Sequence, residues 1–155
     1  MELTTDFRPF LGALAGGQAH SFSEFEGTAA DIPMSAGVYT IWDSEGVLVY
    51  VGIAGRSKSP TTPGLRGRLK SHANGKRSGD QFCCYVADHY VLPDLTLDDL
   101  QRVKRGELLI DALTKSAVRD RFSFRFAVAP DYRTALQIER TIKQGALGKP
   151  PLLNP

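Results

Sequence analysis

The chain lacks the long apolar segments of membrane proteins and the leader of secreted ones. None of its 155 residues belongs to a run of the ~18–20 apolar side chains that a membrane-spanning helix needs. The apolar run at 10–15 follows Glu2 and Asp6 with Arg8 as the only cation, whereas a secretory leader begins with a basic region. We therefore expect no membrane partner and a cytoplasmic location.

Cysteine is equally scarce. Cys83 and Cys84 are the only two thiols and they are neighbours, so the sequence offers neither a disulfide framework nor a four-ligand zinc site. In a candidate extra strand over 82–91 they would point to opposite faces of the sheet. We expect two buried thiols without a chemical role.

Acidic residues are missing from one stretch of the chain. The net charge of +2 is small, but 53–79 contains no Asp or Glu. Its seven cations are Arg56, Lys58, Arg66, Arg68, Lys70, Lys76 and Arg77. A basic surface of this kind neutralises phosphates and releases counterions, which gives affinity for DNA or RNA. A solvated helix and loop without any partner accounts for the same charges.

The pattern of the remaining residues predicts an α+β fold. Two β-rich runs at 37–42 and 47–53 predict an antiparallel hairpin, and 122–129 alternates in its first half like a half-buried strand. With the candidate strand at 82–91 they predict a small, mainly antiparallel sheet flanked by helices. The predicted helices cover 4–15, 63–74, 96–119 and 132–147, with Gly106 as a candidate break in the third.

We divide the chain into an N-terminal covering helix and loop, 1–33, and a main domain, 34–155. The sequence contains no linker, repeat or low-complexity segment, so we expect a single domain overall. Two local signals set element boundaries. Gly46 supplies the positive φ of the hairpin turn, and Thr96 with Asp99 is the pattern of a capping box.

One carboxylate lies on the apolar side of the last predicted helix. Winding at ~100° per residue places Ala135, Ile138 and Ile142 on the same arc as Glu139. A carboxylate directed at a core is destabilising by on the order of several kcal/mol unless it is paired, protonated or bound to a metal. Glu139 is therefore either a metal ligand or one half of an ion pair, with Lys143 four residues on or with an arginine across the interface.

The helix predicted over 63–74 carries a second polar pair. Arg68 and His72 are four positions apart, so they lie on one face and both can reach the sheet. Arg66 and Lys70 lie on a more exposed side, which suits contact with phosphates. A partly buried, hydrogen-bonded histidine without a functional role is the alternative for His72.

The hairpin contains two tyrosines and two glycines in unusual places. Tyr39 and Tyr50 are on adjacent strands, where they can project near one another, and cross-strand packing is the alternative to a functional role. Gly37 and Gly52 weaken strands unless another backbone or a ligand comes close. We therefore regard both glycines as structural requirements of the hairpin.

The run GIAGRSKS at 52–59 is superficially similar to a phosphate-binding P-loop. That motif needs a second glycine where Ser57 stands, and a helix directly afterwards. We therefore expect no nucleotide cofactor.

Taken together, these residues form a known pattern. Gly37-Val38-Tyr39, ten intervening residues and Tyr50-Val51-Gly52 resemble the paired motif that names the GIY-YIG nuclease superfamily, with Val for the central Ile of each tripeptide. Downstream, Arg68 resembles the arginine of the family's first helix, Glu139 its metal-binding glutamate and Asn154 its C-terminal asparagine. The resemblance covers 32–154.

The resemblance implies a metal-dependent endonuclease that hydrolyses DNA phosphodiester bonds to 5′-phosphate and 3′-hydroxyl ends. It implies that Glu139 holds Mg²⁺ or Mn²⁺, as hard cations with oxygen ligands require. Arg68 would bind the non-bridging phosphate oxygens, with Arg66 as the reserve assignment. The other basic residues of 53–79 would contact the DNA backbone.

The same resemblance implies a role for each tyrosine and for the tail. Tyr39 would orient or deprotonate the attacking water, although a phenol with a pKa of about 10 needs help as a base at neutral pH. His72 is the candidate helper. Tyr50 would hydrogen-bond the phosphate or the water, and Asn154 would tie the tail to the site. The alternatives are a non-catalytic nucleic-acid-binding module on the same scaffold and a protein-interaction domain that uses the 96–119 helix.

Overall fold

In the computed structural model, which describes residues 5–55 and 64–155, a four-stranded antiparallel sheet lies between helices on both faces. The spatial order of the strands is β1-β4-β2-β3. The strands are β1 (His20–Ser21), β2 (Gly37–Trp42), β3 (Leu48–Ala54) and β4 (Ser123–Val128). The helices are α1 (Arg8–Gly16), α2 (Phe25–Thr28), α3 (Gly64–Asn74), α4 (Gln81–Val86), α5 (Leu97–Lys104), α6 (Ile110–Arg121) and α7 (Tyr132–Lys143). The α+β class and the mainly antiparallel sheet are confirmed.

The central hairpin of β2 and β3 forms where the sequence predicts it. Asp43 accepts hydrogen bonds at Oδ1 from the backbone N–H groups of Glu45 and Val47, each at 2.9 Å. Gly46 follows with φ of +77°, a conformation that L side chains rarely adopt. The aspartate and the glycine therefore close the turn together, and they set the register in which β2 and β3 pair.

Side-chain alternation along the hairpin supplies two separate cores. Tyr39, Ile41 and Tyr50 face the layer that contains α3, α4 and α6, together with Phe22 and Phe82. The intervening residues face the opposite layer, where α1 and α7 contribute Leu14, Ile138 and Ile142. Because strand side chains alternate between faces, residues adjacent in sequence mostly serve different cores; Val49 and Tyr50, next to the irregularity in the pairing of β2 and β3, share one.

The N-terminal segment contributes to both cores and to the sheet. Helix α1 packs on the α7 face, β1 then pairs with the outer edge of β4, and Phe22 and Phe25 enter the core of the opposite face. The segment predicted to cover the domain thus crosses from one face of the sheet to the other. Gly17 bends the chain there, since a Cβ at Gly17 would overlap the Ala13 carbonyl oxygen.

The candidate strand at 82–91 is wrong, because this segment is helical. Helix α4 continues into a π-helical turn over Ala87–Val91. The buried residues Phe82, Cys83 and Val86 follow helical spacing, and the Asp80 side chain caps the helix by accepting from Cys83 N. The two cysteines are therefore on one helix, with Cys83 buried and Cys84 partly exposed, so the expectation of two buried thiols holds for Cys83 only.

Two other helices are shorter than predicted. The capping box of Thr96 and Asp99 opens α5 as expected, and the candidate break at Gly106 is confirmed: this glycine has a φ of +74°, and the predicted helix is divided into α5 and α6. Helix α7 stops at Lys143 because Gly145 adopts a φ of +95°. Among the described residues, no helix is long and apolar enough to span a membrane.

Candidate active site

The two hairpin tyrosines lie side by side on the α3 face of the sheet. Tyr39 is opposite Gly52, and Ile41 is opposite Tyr50, so the two rings are diagonal neighbours with centroids 6.4 Å apart. The Tyr39 ring crosses directly over Gly52, where a Cβ would overlap its hydroxyl. Gly37 is needed for a similar reason, since its Cβ would overlap Leu65 and the Ala127 carbonyl. The close backbone expected at both glycines is present at Gly37, whereas at Gly52 the close neighbour is a side chain.

A chain of hydrogen bonds runs inward from Tyr39. The hydroxyl of Tyr39 is 2.7 Å from Nε2 of His72, and Nδ1 of His72 is 2.7 Å and 2.9 Å from the two carboxylate oxygens of Asp80. All three side chains are buried, with Tyr39 only 1% exposed and His72 fully enclosed. A phenol, an imidazole and a carboxylate in series form a path along which a proton can move.

Asp80 is the member of this chain that the sequence analysis missed. Its carboxylate also accepts from Ser71 Oγ at 2.8 Å and from Cys83 N at 3.0 Å. Interpreting 82–91 as a strand hid the signal, because an aspartate just before a helix is a typical N-cap. A capping residue eight positions after His72 could have been identified from that pattern.

The protonation states follow from burial and these partners. Burial lowers the pKa of His72, although Asp80 acts in the opposite direction, so the imidazole is neutral at pH 7. Burial works to raise the pKa of Asp80, but the hydrogen bonds from His72, Cys83 and Ser71 outweigh it and hold that pKa well below its usual range. Burial raises the pKa of Tyr39 well above its usual value. Before any reaction, Tyr39 is therefore a neutral phenol, His72 a neutral imidazole and Asp80 an ionised carboxylate.

Of the two candidate arginines, Arg68 is the one beside the tyrosines. Its charge and a hydrogen bond act on the pKa of Tyr39, opposing the dominant effect of burial. Arg66 instead donates from Nε to the Ile32 carbonyl at 2.8 Å and from its terminal nitrogen to the Ala30 carbonyl at 3.0 Å. Arg66 is half-buried, so the expectation that it lies on an exposed side is wrong, and it anchors the N-terminal segment to α3.

Glu139 lies on α7 between the buried side chains Ile138 and Ile142, as the helical winding predicts. Its side chain is 16% exposed and Oε1 is 3.7 Å from Nζ of Lys143. Burial raises the pKa of Glu139, and Lys143 opposes that shift. The charge of Glu139 also affects the pKa of Tyr50. Burial raises the pKa of Tyr50 to about 12, and Glu139 adds to the shift.

Asn154 joins the tail to the edge strand β3. Its Nδ2 donates to the Val51 carbonyl at 2.7 Å, and its Oδ1 accepts from Val51 N at 3.1 Å. The backbone N–H of Leu153 donates to the Val49 carbonyl at 2.8 Å, so the tail is hydrogen-bonded along the outer edge of β3. Val51 lies between the two motif residues Tyr50 and Gly52, so Asn154 is bound to the outer edge of the strand that carries Tyr50.

Apart from Arg66, which anchors the N-terminal segment, the predicted DNA-contacting residues fall into three groups. Lys70 and Lys76 are exposed. Arg77 is exposed too, but Nε donates to Oδ1 of Asp111 at 2.6 Å. The predictions for Arg56 and Lys58 lie outside the described residues.

One cluster in the described part of the chain could hold a metal ion. Single ligand atoms of His72, Asp80 and Cys83 lie within 4.8 Å of one another, all buried. A nitrogen, an oxygen and a sulfur suit a transition metal, whereas Mg²⁺ prefers oxygen ligands. Here Nδ1 and the carboxylate already bond each other, and Cys83 Sγ is 3.5 Å from the His72 carbonyl oxygen. Glu139, the predicted magnesium ligand, is not part of this cluster.

Comparisons with known proteins give no match, whether to a family model, to a curated protein or to a solved structure. A functional assignment therefore depends on the residues of this chain and their arrangement.

Proposed function

We propose that this chain is a metal-dependent endonuclease of the GIY-YIG type that hydrolyses DNA phosphodiester bonds to 5′-phosphate and 3′-hydroxyl ends. The observation that carries the proposal is the hydrogen-bonded series Tyr39, His72 and Asp80, with Arg68 and Tyr50 beside it. Residues from two strands, a helix and the N-cap of α4 converge on one place, and each would have a function in phosphodiester hydrolysis.

The series acts as a proton path in this proposal. The attacking water gives a proton to the Tyr39 oxygen while the Tyr39 hydroxyl proton passes to Nε2 of His72. Hydroxide then attacks phosphorus, the bond to the 3′-oxygen breaks, and the leaving oxygen takes a proton from solvent. Since the raised pKa of Tyr39 makes a free phenolate scarce, a coupled transfer to the neutral His72 is the favourable route.

Arg68 and Tyr50 bind the phosphate in this proposal. The guanidinium of Arg68 offers two parallel donors to the non-bridging oxygens, where charge accumulates in the transition state. Tyr50 has a pKa of about 12 because it is buried, so it stays protonated and can donate a hydrogen bond. Lys70 and Lys76 would contribute contact with the DNA backbone that is independent of sequence.

Glu139 would hold the divalent cation. Mg²⁺ is commonly bound by one or two carboxylates, several waters and the substrate phosphate. Glu139 fits that pattern, since it is a largely buried carboxylate that is only loosely paired with Lys143 at 3.7 Å, and its charge adds to the rise that burial causes in the pKa of Tyr50. A cation held there supplies charge stabilisation for the scissile phosphate and the leaving oxygen.

The burial of Tyr39 places a condition on this mechanism. Its side chain is 1% exposed, so the site must open by at least the width of a water molecule when DNA binds. The same burial favours the alternative of a non-catalytic nucleic-acid-binding module, in which Tyr39 and His72 are only core residues. That module would shift DNA in a gel without cutting it.

The test is nicking of supercoiled plasmid by the full chain with Mg²⁺ or Mn²⁺, and with EDTA as the metal-free control. Wild type is expected to nick in a metal-dependent manner, and labelled fragments should carry 5′-phosphate ends. Glu139→Gln should remove the activity, whereas Glu107→Gln, which changes an exposed glutamate paired with Arg105, should retain it. Binding without cutting by wild type would support the non-catalytic alternative.

A further inference from the structure

We infer that Asp80 is a positioning residue for the proposed reaction, because it holds His72 in the one tautomer that can take the proton of Tyr39. This inference rests on the proposed function. Among the described residues, the side-chain hydrogen bonds of Asp80 join it to His72, Ser71 and Cys83 and not to either tyrosine, so its hydrogen-bonded link to Tyr39 runs through His72.

The position of Asp80 is fixed from several directions. One carboxylate oxygen accepts from Cys83 N at 3.0 Å and the other from Ser71 Oγ at 2.8 Å. The backbone N–H of Asp80 donates to the Arg77 carbonyl at 3.1 Å, and Gly79 precedes it with φ of +73°. Both oxygens and the main chain are therefore held, and the carboxylate cannot rotate away from the imidazole.

The tautomer follows from the donors that are available. An ionised carboxylate only accepts hydrogen bonds, so Nδ1 of His72 must carry the hydrogen that it donates to Asp80 at 2.7 Å. In a neutral imidazole Nε2 then has a lone pair, and the bond of 2.7 Å to Tyr39 runs from the hydroxyl to the ring. When the proton arrives on His72, the negative charge of Asp80 stabilises the imidazolium.

Helix capping alone does not account for Asp80. The cap needs one oxygen and no charge, and asparagine caps helices as well as aspartate does. An ionised carboxylate with 1% exposure is unfavourable to bury unless a partner compensates it. The partner at the shortest distance is His72, which is where the proposed reaction deposits a proton.

The first arm of the test is a spectroscopic assignment of the tautomer. The variant Asp80→Asn retains a capping oxygen, but its amide group can donate to Nδ1 and so move the hydrogen of His72 to Nε2. Imidazole ¹⁵N shifts of the DNA-free protein distinguish the two forms. We expect hydrogen on Nδ1 in wild type and on Nε2 in Asp80→Asn. Hydrogen on Nε2 in wild type would overturn the inference without any variant.

The second arm measures plasmid nicking. In serine proteases, changing the aspartate that orients the histidine to asparagine lowers kcat by about 10⁴, and we expect a loss of at least about 10² here. Asp131→Asn is the matched control, because Asp131 caps α7 through Thr134 N at 2.7 Å and should keep its rate within about twofold. A loss below threefold in Asp80→Asn would overturn the inference and leave the proposed function intact.

A double-mutant cycle separates positioning from a merely structural effect. If Asp80 acts through His72, adding Asp80→Asn to His72→Gln should lower the rate no further, whereas additive losses would overturn the inference. If wild type never cuts DNA, the proposed function fails, and the tautomer arm then decides alone. If the hydrogen of His72 moves from Nδ1 to Nε2 in Asp80→Asn, the conclusion that Asp80 fixes the tautomer is still supported. If the tautomer is the same in both proteins, that conclusion is overturned.

Discussion

The Tyr39 hydroxyl and Nε2 of His72 are 2.7 Å apart although 33 positions separate the two residues in sequence. Tyr39 comes from the middle of β2 and His72 from the third turn of α3. The hydrogen bond therefore depends on the position of α3 on the sheet. That position is set by Leu65 and Leu69, which pack in the same core as Tyr39. Any change that shifts α3 by an ångström should break this bond before it unfolds the protein, because hydrogen bonds weaken steeply with distance.

Gly52→Ala should disturb the contacts of the Tyr39 ring with His72 and Tyr50. A Cβ at this position overlaps the Tyr39 ring, so the ring must move or the strands must part. We expect unfolding to become easier by about 1–3 kcal/mol and nicking to fall by at least tenfold. Urea unfolding and the plasmid assay measure the two effects. Gly12→Ala in α1, where nothing lies within 4 Å, is the control; it should leave nicking unchanged and raise stability by about 0.5–1 kcal/mol, because alanine is favoured over glycine inside a helix.

The free energy of unfolding should fall as the solution is acidified through the titration of His72. Burial lowers the pKa of His72 in the folded state below its ordinary value of 6.5, so the unfolded chain binds more protons there and stability is lost as pH falls. Urea midpoints measured between about pH 7 and pH 5.5 should show this slope. His72→Gln should reduce the dependence of the urea midpoint on pH. An equal dependence in both proteins would count against a buried, neutral His72.

Substitution of the two arginines of α3 should affect different properties: nicking for Arg68 and stability for Arg66. Arg68→Lys keeps the charge but loses the planar pair of donors, so we expect nicking to drop by about 10²-fold with little change in unfolding. Arg66→Lys removes hydrogen bonds to the Ala30 and Ile32 carbonyls, which should lower stability by about 1–2 kcal/mol. The opposite pattern would assign the phosphate to Arg66.

Detaching the tail should weaken the edge of the sheet. Asn154→Ala loses both hydrogen bonds to Val51 and should lower stability by about 1–2 kcal/mol. Hydrogen exchange of the Val51 amide should accelerate as well. Leu152→Ala is the neighbouring control, because Leu152 is 62% exposed. Unchanged exchange at Val51 in Asn154→Ala would mean that the tail is held by other contacts.

The parts of the fold with local signals could be predicted from the sequence. The turn at Gly46, the alternation of the hairpin and the end of α3 at Gly75 each depend on a few adjacent residues. Glu139 could be singled out because helical winding places it beside Ile138 and Ile142, and that arrangement is confirmed.

The rest depended on contacts that no short window contains. The run at 82–91 is rich in residues that favour strands, yet the cap from Asp80 and the burial of Phe82 and Val86 make α4 helical. The anchoring of Arg66 to the Ala30 carbonyl is equally non-local. Asp80 escaped notice for the same reason, since its importance comes from His72 across a turn.

The pairing of β1 with β4 delays folding of the N-terminal segment during synthesis. His20 and Ser21 pair with Phe124 and Ser123, more than a hundred positions later, and Phe22 N donates to the Phe122 carbonyl at 3.2 Å. On the ribosome, the first strand made is therefore left without its neighbour until most of the chain has emerged. A separation of this size slows folding, so we expect the native topology to form only after β4 has left the ribosome.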